Sequence, residues 1–185
     1  MIKTLTLTLM IFLFLAIVGV AQADQNDTKL DALFTRLQKT VAPSEAEAIE
    51  QSIWAIWVRY DDAAINKRMS VGIKAMNSGA LKISLLAFSE ITQMAPAFAE
   101  GWNKRATAYF LLGQYEASVR DIQQTLLLEP RHFGALSGMG LIYAAIGKDE
   151  AALKVWQKAL SINPQMPGIK ARVEELLQKL KGEPA

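Results

Sequence analysis

Pro96, Pro130 and Pro164 each stand 34 residues from the next, and Gly79, Gly113 and Gly147 repeat the same interval. These breakers divide the chain into blocks 65–98, 99–132 and 133–166. Glycine accepts the left-handed conformation that closes a helix, and proline cannot continue one. Each block therefore reads as a helix, a glycine turn ("NSGAL", "LLGQY", "AIGKD"), a second helix and a proline. A helical pair of this length cannot bury its apolar face alone, so neighbouring pairs must stack. The period predicts an all-α solenoid, and no sustained period-two alternation offers a strand.

The blocks resemble tetratricopeptide repeats, whose pattern runs W-x2-L-G-x2-Y, then A-x3-F, then P. The third block matches most fully, with Leu136, Met139, Gly140, Tyr143, Ala152, Trp156, Ala159 and Pro164. The second has Trp102, Ala106, Tyr109, Ser118, Ile122 and Pro130, with Arg105 where an apolar residue is usual. The first has Val71, Gly72, Ser84, Phe88 and Pro96, but Arg68 and Ala75 replace two large apolar positions, which predicts a weaker outer packing surface. The phrases "EGWNKRA" and "EPRHFGALSG" are similar to those of exported tetratricopeptide proteins of proteobacteria, a resemblance that implies no particular activity. The resemblance implies a right-handed α-solenoid of three stacked helix-turn-helix repeats with flanking capping helices.

Residues 24–64 form a predicted N-terminal helical hairpin, a degenerate repeat or a cap. Leu30, Leu33, Phe34 and Leu37 mark its first helix. Ser44-Glu45-Ala46-Glu47 reads as a capping box opening its second, whose apolar side holds Ile49, Ile53, Trp54, Trp57 and Tyr60. Asp61-Asp62 reads as a connection. Residues 167–185 form a capping helix, with Ile169, Val173, Leu176, Leu177 and Leu180 at helical spacing. Before all of this, Lys3 precedes the apolar run TLTLTLMIFLFLAIVGV and Ala21-Gln22-Ala23, the layout of a secretory signal peptide over residues 1–23. The expected location is periplasmic after cleavage. The alternative is an inner-membrane anchor formed by residues 5–20, with membrane contact only in that case.

Lys+Arg 20 against Asp+Glu 18 gives no basic excess for nucleic acid. With no cysteine, thiol redox chemistry, iron–sulfur clusters and covalent haem attachment are excluded. The stretch "RHFGALSGMG" holds the lone histidine, His132, beside Gly134, Gly138 and Gly140. A phosphate loop needs G-x-x-x-x-G-K-[ST], and a dinucleotide fingerprint needs a preceding strand. Both are missing here, so the glycines read as helix-packing sites. His132 reads as a solvated or locally hydrogen-bonded turn residue, and Asp121, Glu129 and Glu116 as solubilising charge. No nucleophile, base and orienting acid gather in one region, so the chain reads as non-enzymatic, with no cofactor and no metal site.

By the geometry of the resembled family, positions 2, 5, 9, 12 and 13 of each block line a concave groove. In the first block these are Asn66, Met69, Ile73, Met76 and Asn77. In the second they are Glu100, Asn103, Thr107, Phe110 and Leu111, and in the third Gly134, Ser137, Leu141, Ala144 and Ala145. The expected partner-binding residues are Met69, Ile73, Met76, Asn103, Lys104, Thr107, Phe110, Arg131, Ser137 and Leu141. Such a soft apolar surface suits a protein or peptide segment. The carboxylate clamp of tetratricopeptide co-chaperones is absent. Asn103 and Lys104 are present, but Met69, Ile73, Gly134 and Gly138 hold the other places. Alternatively, the chain's own terminal helices fill the groove. The expected function is an exported adaptor or scaffold that binds a protein partner. A self-associating envelope protein and a regulatory subunit of an envelope enzyme complex are the alternatives.

Overall fold

The computed structural model describes residue 25 and residues 27–182, so the signal and anchor expectations for residues 1–23 lie outside the described residues. Nine α-helices follow one another in that span, with no strand among the described residues: α1 (Lys29–Lys39), α2 (Pro43–Trp57), α3 (Ala63–Asn77), α4 (Leu81–Met94), α5 (Ala99–Leu111), α6 (Tyr115–Leu128), α7 (Phe133–Ala145), α8 (Asp149–Ile162) and α9 (Pro167–Lys181). Within the described residues no helix is long and apolar enough to cross a membrane.

The helices α3 to α8 pair as three hairpins, and each turn closes in the same way. Gly79, Gly113 and Gly147 sit at φ +78°, +72° and +72°. The following amide then reaches back five residues: Ala80 N–H to Ala75 O at 2.8 Å, Gln114 N–H to Tyr109 O at 2.9 Å, and Lys148 N–H to Tyr143 O at 2.8 Å. Only glycine enters this region without a steric penalty. Inside the first and third hairpins, a small residue on the first helix receives a ring from the second, and in the second hairpin Ala106 meets Ile122 instead. A Cβ on Gly140 would fall inside the Trp156 indole, and one on Gly72 inside the Phe88 ring. The Trp156 Nε1–H donates to Ser137 O at 3.1 Å, fixing the ring in that notch.

The α9 helix covers the last hairpin by burying Ile169, Val173 and Leu176 against Ala152 and Trp156. Leu177 and Leu180 stay partly exposed, at 37% and 44%, so the apolar face is narrower than the sequence spacing suggests.

The N-terminal pair differs more. The α1 and α2 helices form a hairpin, yet they do not stack ahead of α3 as a degenerate repeat would. Their apolar sides, with Leu30, Phe34, Leu37, Ile49, Ile53 and Trp57, share one core with Phe133 and Leu136 of α7 and Ala159 and Ile162 of α8. The hairpin is thus seated on the third repeat, along the edge where repeats begin and end. Polar ties reinforce it: Asn163 Nδ2 donates to Glu50 Oε1 at 2.8 Å and Gln165 Nε2 to Thr40 O at 3.0 Å. The expected capping box at Ser44–Glu47 is not formed. Pro43 opens α2 after Ala42, with no side-chain cap. Glu45 instead accepts from Arg36 at 2.8 Å and from Thr40 at 2.7 Å, joining α1 to α2. Asp62, expected as a linker residue, caps α3 by accepting from the amides of Ala64 and Ile65.

Candidate functional site

The first helices of the repeats, α3, α5 and α7, present the expected concave positions, and the C-terminal half of α2 lies across them. Trp54 rests on the notch left by Gly134, where an added Cβ would come 2.5 Å from the indole. The Lys104 ammonium stands 5.3 Å from the centre of the Trp54 ring. Two clefts remain on either side of this crossing. One, of about 570 Å³, lies between the end of α2 (Ala55, Val58, Arg59) and α3, where Met69 and Ile73 line it. The other, of about 280 Å³, lies between α5 and α7 and is lined by Asn103, Thr107, Phe110, Leu111, Ser137 and Leu141, among others.

Of the expected groove residues, Asn103, Thr107, Phe110, Ser137 and Leu141 are therefore brought together. Phe110 and Tyr115 are in ring contact at 5.7 Å, which holds the Phe110 ring at the cleft wall. Met69 and Ile73 belong to the other cleft, with Met69 almost wholly buried, and Met76 packs half-buried against the first-repeat core. Arg131 is drawn away from the groove. Its guanidinium pairs with Glu129 and with Asp31 of α1 and lies 4.5 Å from the Phe34 ring centre, so it serves the hairpin. Lys104 is engaged as well, with Nζ 2.9 Å from Glu100 Oε1 as an ion pair that lacks hydrogen-bond alignment.

Of the two expectations for His132, the structure rejects the solvated one and keeps the locally hydrogen-bonded one, because its side chain is fully buried. Nδ1 accepts from the Ala135 amide at 3.1 Å, capping α7. Nε2 lies 2.8 Å from Glu100 Oε2, and since Nδ1 is the acceptor, Nε2 carries the proton and donates. The imidazole stacks on Trp57 at 4.1 Å between ring centres and 12° between planes. Glu100, expected as a groove position, is buried under this assembly. Burial pushes its carboxyl up, but the Lys104 charge and the His132 hydrogen bond outweigh burial and hold it at about 2, below its ordinary 4.5. Asn103 Nδ2 donates to the same oxygen at 3.0 Å.

Two more acids depart from the expected solvated role. Asp121 is buried and takes a two-pronged hydrogen bond from Arg105, at 2.6 and 2.8 Å. Arg105 also donates to Thr92 of α4 at 2.7 Å and lies over Trp102 and Tyr109. The charge that interrupts the apolar pattern of the second block thus joins two repeats. Glu129 is buried beneath Arg131. Among the described residues no group of three or more His, Cys, Asp or Glu could hold a metal ion.

Comparison with known proteins agrees with this architecture. The family model described as tetratricopeptide repeat matches residues 99–132 and 134–166. A TPR repeat-containing protein of Rhizobium etli is 38% identical over 154 residues, covering 83% of this chain and 76% of that protein. The small glutamine-rich tetratricopeptide repeat-containing protein 2 of Saccharomyces cerevisiae is 30% identical over 91 residues, which span 49% of this chain but only 26% of the yeast protein. Among solved structures, the first repeat domain of Spaghetti bound to an HSP90 peptide superposes with a TM-score of 0.62 at 21% identity, over 65% of this chain and 96% of that one. MamA superposes with a TM-score of 0.60 at 17% identity, over 76% and 79%. At such identities these structures report the fold alone. With 34-residue hairpins, glycine-closed turns and a relative at 38% identity over most of both chains, this protein belongs to the tetratricopeptide repeat family.

Proposed function

We propose that the protein is an exported, non-enzymatic adaptor that takes a neutral, apolar segment of a protein partner into the cleft between α5 and α7. The cleft itself carries the reading. Thr107, Phe110, Leu111, Ser137 and Leu141 remain accessible there, an apolar wall with hydroxyls to orient a main chain. The apolar wall alone sets the partner's chemistry, because the nearby cations are committed within the chain: Lys104 to Glu100 and Arg131 to Glu129 and Asp31. Some solved neighbours hold chaperone peptides ending in acidic residues, as in the Spaghetti complex with SRMEEVD. An acidic terminus would find poor compensation here, so the preferred segment is apolar along its length. The apolar run and A-x-A end of residues 1–23 support export, and an envelope partner follows from that location.

The test is Phe110→Glu in the full chain, with partner recovery from cell-envelope extracts measured beside thermal unfolding. A tenfold or larger loss of recovered partner with an unchanged melting temperature supports the cleft. Loss of both together places Phe110 in the core and removes the assignment.

A further inference from the structure

The first repeat leaves an apolar face open at the head of the stack. Val71, Ile83 and Leu86 are 46%, 57% and 62% exposed and, with Lys67, Arg68 and Glu90, line a depression of about 350 Å³ between α3 and α4. The other repeats act as internal controls. One and two periods on, Val71 becomes Arg105 and Met139. Arg105 reaches back to Thr92 of the preceding repeat, and Met139 is buried with Ala106 and Ile122 of the preceding repeat. This position is therefore a stacking position, and among the described residues α3 has no preceding repeat to meet it. Leu86 becomes Arg120 and Lys154, both solvent-exposed. The repeat does not require an apolar side chain there, so the leucine is peculiar to this face. The N-terminal hairpin cannot cover it, since its apolar side is spent on α7 and α8.

We infer that a second copy of this chain docks on this face by a two-fold rotation. The patch is complementary to itself. Arg68 and Glu90 face each other at 2.8 Å, partly exposed, with cations on α3 and an acid on α4. Rotation about an axis through the depression lays α3 of one copy on α4 of the other. The apolar trio then meets its equivalent, and the exposed Lys67 of each copy approaches Glu90 of the other. A partner bearing one sign of charge would not match both rims. The patch is small, so the dimer is weak, dissociating at roughly 10–100 μM.

Sedimentation equilibrium on protein purified from cells expressing the full chain tests this. The mass should rise toward two protomers across that range, and Leu86→Arg, the residue used one period on, should abolish the rise without lowering the melting temperature. Because the chain has no cysteine, Ile83→Cys should give a covalent dimer on mild oxidation, and Gln123→Cys on the outer side of α6 should not. A mass independent of concentration overturns the inference. So does association that survives Leu86→Arg, or equal crosslinking at positions 83 and 123.

Discussion

His132 and Glu100, 32 residues apart, meet at 2.8 Å with neither side chain reached by solvent. The contact joins the start of α5 to the start of α7, and the imidazole is also the surface on which Trp57 of α2 stacks. The order of the repeats and the seat of the N-terminal hairpin therefore share one buried polar pair. Removing Glu100 leaves the buried Nε2–H without its acceptor, and removing His132 takes one of two hydrogen-bond donors from Glu100 and the cap from the Ala135 amide. His132→Ala is expected to cost about 3 kcal/mol in chemical unfolding, beyond the typical cost of a point change. A loss below about 1 kcal/mol would show that the pair is replaceable by water.

The same carboxylate gives a pH dependence with a definite sign. Glu100 titrates at about 2 in the folded protein and near 4.5 when unfolded, so the unfolded chain takes up a proton first as pH falls. Its stabilisation is complete above about pH 5 and is lost progressively toward pH 2, amounting to roughly 3 kcal/mol. Glu100→Gln should therefore be less stable than the parent at pH 7, with the gap closing below pH 3. A gap that stays constant with pH would contradict the assignment.

Gly140 and Gly138 lie on the same helix and should respond in opposite ways to alanine. A methyl at Gly140 would overlap the Trp156 indole, and overpacking of this kind costs about 1–3 kcal/mol. At Gly138 the nearest atom is Ile122 Cδ1 at 3.7 Å, an ordinary contact, so Gly138→Ala should gain up to about 1 kcal/mol from helix propensity. Thermal unfolding of the two variants side by side decides this.

Asp121→Asn removes the charge that answers Arg105 in the seam between the first two repeats. A loss of roughly 2–4 kcal/mol is expected, with hydrogen exchange speeding up in α4 and α5 before α8. Uniform acceleration along the whole array would mean that the pair is not local to the seam.

The repeat architecture was legible because its determinants are local. A glycine at positive φ and a proline after each second helix act within a few residues, and 34-residue spacing repeats them. The small residues at positions 72 and 140 were legible for the same reason, through the ring that each receives. The seat of α1 and α2 was not, because an amphipathic helix declares its apolar side and not its partner. Ile49, Ile53 and Trp57 were correctly placed on that side, yet nothing within α2 points to Phe133 or Ile162. A signal existed in the other element: α7 carries Gly134 where the second repeat carries Glu100, leaving room for a large ring such as Trp54. The buried acids were misread because Asp121 and Glu129 look like surface charge until Arg105 and Arg131 are seen to fold over them.

The central claim is that the concave face is shared between the chain's own hairpin and a cleft open to a partner. Photo-crosslinking in the cell from Lys104 and from Thr107, three residues further along α5, tests both halves together. Lys104 lies against Trp54 and should yield only an internal adduct to α2, while Thr107 should capture a discrete second protein. Capture of that protein from Lys104 as well, or only internal adducts from Thr107, would contradict the account.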